Sequence, residues 1–346
     1  MKLKKLLSMG LILSVTTSTL VGCSSTKEET DAKGDESKAL KIALVSDVGG
    51  INDESFNQSA WEGLQKAEKE LGIEVQVFES KQAADYVPNV ENAIDEDADL
   101  VIGVGFQMDA AIKDAASNYP EKKFAIIDHE YGNEQPENVN SLMFKAEEAS
   151  YLVGLIAGKK SETGAVGFIG GTKSPVIEKF EYGYLAGAEA ASATKVLRQY
   201  ADTYADAAKG KAISNQMYNS DVDIIFTAAG STGNGAIEAA KESNKMAIGV
   251  DKDQNSLAPD NVITSAMKRV DTAVYSTIEK LVNGEFKGGE VTVFGLNEDG
   301  VGIAPSTGKN VDAEILAFVE EQAEKIKKGE IKVPSNEDEY KKFKQQ

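Results

Sequence analysis

The sequence predicts an α/β protein of two similarly built lobes, each around a mostly parallel sheet covered on both faces. Three observations carry that expectation. Short apolar runs alternate with segments of helical periodicity along the body of the chain, which is the pattern of βαβ units. The series restarts near its middle, each half opening with a strand, a glycine turn and a helix. The 346 residues, 41% hydrophobic and 27% charged, bury a full core and exclude a disordered or collagen-like chain.

The first series begins with the apolar run Lys41–Val45 and the turn Ser46–Gly50. Ala60, Trp61, Leu64, Ala67 and Leu71 then recur at helical spacing and stop at Gly72. Strands are expected at Val75–Phe78, Leu100–Val104, Phe124–Ile127 and near Leu142–Phe144, with helices near Val87–Glu96, across 108–118 and across Glu147–Ala157. The second series opens at Ala165–Ile169 and Gly170-Gly171, followed by a helix over Lys179–Ala193. Strands at 195–200, Ile224–Thr227 and Ala247–Val250 enclose helices at Ala205–Asn215 and Gly235–Glu242. A strand at Ile263–Met267, a helix at Val270–Leu281, a strand at Val291–Phe294 and a helix over Ala313–Lys327 remain to be shared between the lobes. Sheets of this kind bind ligands outside the carboxyl ends of their strands, here in a cleft between two of them.

The front end reads as an address and an anchor. Lys2, Lys4 and Lys5 precede an apolar stretch, Leu6–Leu13, and then small residues up to Cys23. That is a secretory signal over residues 1–22, too short and too interrupted for a spanning helix. Leu20-Val21-Gly22-Cys23 resembles the bacterial lipobox, so Cys23 is the expected lipidation site. Each buried acyl CH₂ contributes about 0.8 kcal/mol, and two or three chains hold a protein at a membrane surface. Residues 23–39 form an expected polar tether. The body then lies outside the cytoplasm, anchored to the cell membrane.

Acids outnumber bases 56 to 37. A net charge of −19 without a basic stripe repels phosphate backbones and excludes nucleic acid as a partner. One Cys and one His exclude a disulfide framework, a Cys/His zinc cluster and a Cys–His dyad. No cofactor, metal or catalytic residue is expected. Gly230–Gly235 lacks the Gly-Lys-[Ser/Thr] ending of a phosphate loop and instead lets backbone approach a small ligand. Asp251–Asn255 begins like a calcium loop but has Ser256 and Val262 where glycine and glutamate belong. His129 has no nucleophile elbow to serve and reads as a rim or structural residue.

Candidate ligand contacts cluster at predicted strand ends. Asp47, Asp53, Phe56 and Asn57 follow the first strand, where Ser55 and Gln58 also fit a capping box that would start the helix. Phe106 follows the third strand, and Phe180 sits after the glycine turn of the second half. Each aromatic alone is as well explained by core packing, but Phe56 and Phe180 hold equivalent places in the two series and would face each other across a planar ligand. Asp47, Asp128 and Asp251 each close a strand, with Lys268 past another and Gly230 at the glycine segment. Converging carboxylates accept hydroxyl and N–H donors, favouring a neutral solute over a phosphorylated one.

The body resembles the basic membrane protein family of bacterial lipoproteins, which are substrate-binding components of ABC importers for purine nucleosides and related solutes. The resemblance rests on Ser46–Gly63 (SDVGGINDESFNQSAWEG), Gly103–Phe106, Phe180–Gly187, Ala228–Gly235, Ile248–Asp251 and Met267–Asp271. It implies the type I periplasmic-binding-protein fold, two Rossmann-like lobes joined by three crossing strands. Lobe 1 would take 40–143 and 266–290, lobe 2 would take 144–265 and 291–330, and 331–346 would be a tail. It also implies a nucleoside base between Phe56 and Phe180, its edge read by Asn57 and Asp128, and ribose hydroxyls at Asp251 and Lys268. An ABC permease would be the partner. Lys252 and His129 differ from the smaller neighbours expected in many members. A sugar receptor of the same fold, a surface nucleoside hydrolase and a surface antigen with a vestigial cleft are the rival readings.

Overall fold

The apolar runs become strands because parallel sheets covered by helices on both faces have no solvent side. β1 (Lys41–Val45), β3 (Leu100–Gly103), β6 (Ala165–Gly170) and β8 (Ile224–Ala228) are buried along almost their whole length. In chain order β1 leads to α1 (Phe56–Leu71), β2 (Glu74–Phe78), α2 (Tyr86–Asp95), β3, α3 (Asp109–Asn118), β4 (Lys123–Ile127) and β5 (Val139–Phe144). Next come α4 (Ala146–Lys160), β6, α5 (Pro175–Ala190), β7 (Lys195–Tyr200), α6 (Ala207–Tyr218), β8, α7 (Ser231–Glu242), β9 (Met246–Asp251) and β10 (Val262–Lys268). The last elements are α8 (Val270–Val282), β11 (Val291–Phe294), β12 (Val301–Ile303), α9 (Ala313–Lys327) and α10 (Glu337–Phe343).

This computed structural model describes residues 39–193 and 195–345, which belong to one compact unit. The signal segment, Cys23 and the tether up to residue 38 lie outside the described residues. Among the described residues, no helix is long and apolar enough to cross a membrane.

Two six-stranded sheets result, in the orders β11-β5-β4-β3-β1-β2 and β12-β10-β9-β8-β6-β7. Among the described residues every strand pairing is parallel except β10 with β12. The chain passes between the sheets three times, after β5, after β10 and between β11 and β12. These passages are tied together: Lys145 N donates to Phe294 O at 2.9 Å and Arg269 N to Gly300 O at 2.8 Å. The Phe144 and Phe294 rings stack beside the first tie, centres 5.2 Å apart.

The expected division of the tail is displaced at both ends. Ala266–Lys268 pair with β12 in the second sheet, whereas Val291–Phe294 pair with β5 in the first. Both runs lie next to a passage, where pairing is decided by distant partners and leaves no local trace. The tail beyond 331 also carries α10, capped by Asn336 and packed on α5 through Tyr340 and Tyr182, centres 5.6 Å apart.

Two local features position the site. α5 lies so close to α4 that a Cβ on Gly187 would fall 2.0 Å from the Tyr151 carbonyl oxygen. Only glycine permits that approach, which sets the helix bearing Phe180 against the helix that follows the first passage. α5 also starts at Pro175 rather than Lys179, because Ser174 caps it and proline suits the first helical position. Phe180 is therefore in the second turn, not at the helix start like Phe56.

Candidate ligand-binding site

The carboxyl ends of the two sheets face a common cavity of about 580 Å³, counting the solvent at its mouth. All ten residues singled out in the sequence stand on its wall. Asp47, Asp53, Phe56, Asn57, Phe106 and Asp128 come from the first sheet's side. Phe180, Gly230, Asp251 and Lys268 come from the second.

Local hydrogen bonding divides this set by role. Asp53 is spent on the chain: Oδ1 accepts from Ser55 N and Gln58 N, and Oδ2 from the backbone and side-chain nitrogens of Asn57, all within 3.0 Å. Asn57 is equally engaged, accepting from Asp47 N at 3.1 Å and donating to Asp47 Oδ1 at 2.7 Å. The expected Ser55–Gln58 capping box does not form. Asp53 holds the first turn of α1 instead, freeing the Ser55 hydroxyl to donate to Asp251 Oδ2 in the other half. Asp53 and Asn57 thus act on the cavity by fixing Asp47 and Phe56.

Three carboxylates retain an oxygen without a partner among the described residues. Asp47 uses Oδ1 for Gly49 N and Asn57, Asp128 uses Oδ2 for the Lys268 ammonium, and Asp251 uses Oδ2 for Ser55. Their remaining oxygens are the acceptors the cavity offers. Asp128 and Asp251 also share a backbone state, with φ of 67° and 64° directly at the ends of β4 and β9. Aspartate tolerates the left-handed region better than most residues, and strain of this sort collects at ligand sites.

Burial dominates the electrostatics. It pushes the Asp47 carboxyl up to about 6, against the hydrogen bonds from Gly49 and Asn57 that pull it down. Asp251 is likewise raised to about 6 by burial, opposed by the Lys268 ammonium and the Ser55 hydroxyl. Lys268 is only 2% exposed, and its ammonium lies 4.3 Å from the Phe56 ring centre and 5.9 Å from that of Phe180. The ring centres are thus at most about 10 Å apart, the sum of those distances. Phe180 is nearly buried, with Phe226 behind it at 6.2 Å, yet it still forms cavity wall.

Gly105 keeps the space between ring and acid open. Its φ is 109°, and a Cβ there would sit 3.4 Å from the Phe56 ring and 3.5 Å from Asp47 Oδ2. His129 stands off the wall, its ring edge-on to Tyr131 at 4.5 Å.

Sequence reasoning missed Tyr204, which walls the cavity from the loop between β7 and α6. Its hydroxyl lies 3.0 Å from Thr172 Oγ1, and a Cβ on Gly171 would meet its ring at 2.1 Å. The Gly170-Gly171 pair was the signal that an aromatic packs there; which aromatic was not legible. Gln107, also on the wall, was missed as well and accepts a hydrogen bond from the Tyr86 hydroxyl at 3.2 Å.

Two mostly parallel sheets joined by three passages, with a polar and aromatic cavity between their carboxyl ends, define a solute-binding protein of the periplasmic type. The chain belongs to the PnrA-like ABC transporter substrate-binding protein (Bmp) family, whose sequence profile matches residues 40–337. That family consists of solute-binding proteins, not enzymes. Among relatives, basic membrane protein A of Borreliella burgdorferi is 40% identical over 89% of this chain and 91% of its own. The ABC transporter nucleoside-binding protein BmpA of Lactococcus lactis is 37% identical, covering 96% of this chain and 99% of that one. A crystal structure of an ABC transporter solute-binding protein from Aeropyrum pernix superposes with a TM-score of 0.80 at 30% identity, covering 88% and 96% of the two chains.

Proposed function

We propose that this protein is a lipid-anchored receptor on the outer face of the cell membrane. It captures a nucleoside, with a purine base, between two lobes and delivers it to an ABC permease. The observation that carries the nucleoside reading is the joint presence in one cavity of Phe56 and Phe180, from the two sheets' sides, with three partly unpaired carboxylates. Rings on either side suit a flat heterocycle, and the free acid oxygens suit N–H and hydroxyl donors. The Lactococcus lactis relative, a nucleoside-binding protein by name, supports the same ligand class. The passages between the sheets serve as the hinge on which lobes 1 and 2 close, driven by the ligand's higher affinity for the closed form. Anchoring at Cys23 rests on the lipobox-like sequence before it.

Calorimetric titration with purine nucleosides, pyrimidine nucleosides, nucleotides and pentoses tests the reading. Purine nucleosides are expected to bind, and their 5′-phosphates are expected to bind far more weakly. Phe56→Ala is expected to weaken nucleoside binding by about 2 kcal/mol, roughly thirtyfold. A sugar receptor would keep its affinity after that change, and a hydrolase would release free base from inosine. No heat with any nucleoside would leave the antigen reading in place. Growth with labelled palmitate is expected to mark the native protein but not Cys23→Ala.

A further inference from the structure

Four bonds from residues 234–254 of the second half converge on one short stretch of the first, residues 53–62. Asn234 Nδ2 donates to the Asp53 carbonyl at 3.1 Å, and the Ser55 hydroxyl donates to Asp251. Gln254 Nε2 donates to the Glu54 carbonyl at 2.8 Å, and the Lys252 ammonium pairs with Glu62 at 2.5 Å. The first two involve residues that form or flank the cavity. The last two do not: Glu54, Glu62, Lys252 and Gln254 are all off its wall.

Both outer contacts are preset on their own sides. Gln254 is 2% exposed, its Oε1 accepts from Val250 N at 2.9 Å, and its own N donates to Ser265 Oγ at 3.1 Å. The side-chain amide is thereby aimed at Glu54, whose left-handed φ of 57° is itself uncommon for a glutamate. Glu62 also accepts from Gln58 Nε2 at 3.2 Å on the oxygen that meets Lys252. The pair lies at the surface, with the Lys252 side chain 19% and the Glu62 side chain 45% exposed, so salt screens it and its effect is largest at low salt.

We propose that the Lys252–Glu62 ion pair, with the Gln254–Glu54 bond beside it, is a latch on the outer edge of the cleft that holds the two halves closed. The inference rests on the reading of the molecule as a two-lobed capture device. Because the latch touches no ligand, it governs how long a bound solute stays rather than which solute is chosen. Bonds made in the closed form must break before solute leaves, so they slow release; because they also hold the empty cleft closed, they lower the share of open form that solute can enter.

The test uses the full chain with Lys252→Glu, Glu62→Lys and the double exchange of the two. Guanosine and inosine release is followed by stopped flow, and the solute-free proteins are measured by small-angle X-ray scattering. Each single change is expected to speed release about fivefold at low salt and to enlarge the solute-free radius of gyration. The double exchange restores the pair in reverse and is expected to bring both readings back within twofold of the native protein. Native release and native scattering in the single variants would overturn the latch, as would a double exchange that behaves like the singles. Should neither nucleoside bind the native protein, the nucleoside reading fails, while scattering alone still decides the latch.

Discussion

Replacing Asp128 with asparagine is expected to destabilise the solute-free protein by about 3 kcal/mol, read from urea unfolding at pH 7. Asparagine keeps the shape of the side chain and tolerates the φ of 67° at this position, so the change removes little but the charge. What it leaves behind is Lys268, 2% exposed and deprived of its direct carboxylate partner. The expectation sits at the lower end of the range for a broken buried pair because Asp47 and Asp251 also feel the Lys268 charge. Alanine at 128 is expected to cost about 1 kcal/mol more, since it is poorly suited to the left-handed backbone. Removing both partners, as Asp128→Asn with Lys268→Met, is expected to be milder than the sum of the single changes. A loss below about 0.5 kcal/mol for Asp128→Asn would show that Lys268 does not depend on this ion pair.

That dependence was half legible in the sequence. In a parallel sheet every strand delivers its last residue to the same edge, so acids and a lysine closing apolar runs converge whatever their separation. That ground places Asp47 with Asp128 and Asp251 with Lys268, and the cleft between the two sheets brings the pairs together. The individual pairings could not. Ser55 and Asp251 are bonded although 196 residues apart, and a local capping rule assigned Ser55 to the helix instead. Asp53 took that role because it precedes Ser55 by two residues and reaches three backbone N–H groups of the first turn.

The tail was legible in its elements and illegible in their destination. β11 was read as a strand, but Val291 and Val293 are 38% and 44% exposed, so its pattern does not say which sheet it joins. β12 is three residues long and gives no periodicity to read. Tyr204 lies in a polar loop, where an aromatic has no periodic context that points inward. Function constrains the strand ends, which are local in sequence. The fit between the halves depends on contacts that are local only in space.

Asp251→Asn is expected to make the solute-free protein more stable at pH 7, by up to about 3 kcal/mol, while weakening its hold on a nucleoside. The Asp251 carboxyl titrates near 6 in the folded protein, against an ordinary value of 3.8, and burial is the main cause. Between about pH 4 and pH 6 the folded form therefore keeps a proton that the unfolded form has released. Stability from this group falls as pH rises through that window, and the penalty is complete above pH 6. The gap between the two values corresponds to about 3 kcal/mol. Asparagine carries no charge at any pH, so the variant's advantage is expected to shrink on acidification and vanish below about pH 4. Asp47, raised to about 6 by burial as well, contributes a penalty of the same sign in both proteins. Binding runs the other way: an ionised oxygen accepts a ligand hydroxyl more strongly than an amide does, by roughly 1 kcal/mol or more. Native affinity for a nucleoside is accordingly expected to decline as pH drops through 6, and the affinity of Asp251→Asn to be lower at pH 7 and flatter with pH. Urea curves at pH 4, 5.5 and 7.5, paired with calorimetry at the upper two, separate these effects. A variant less stable than the native protein at pH 7.5 would mean that Asp251 is held by its partners more strongly than burial opposes it. In the expected case, stability is given up to keep a charged acceptor buried in the cavity wall, which is the arrangement a receptor for hydroxyl-bearing solutes requires.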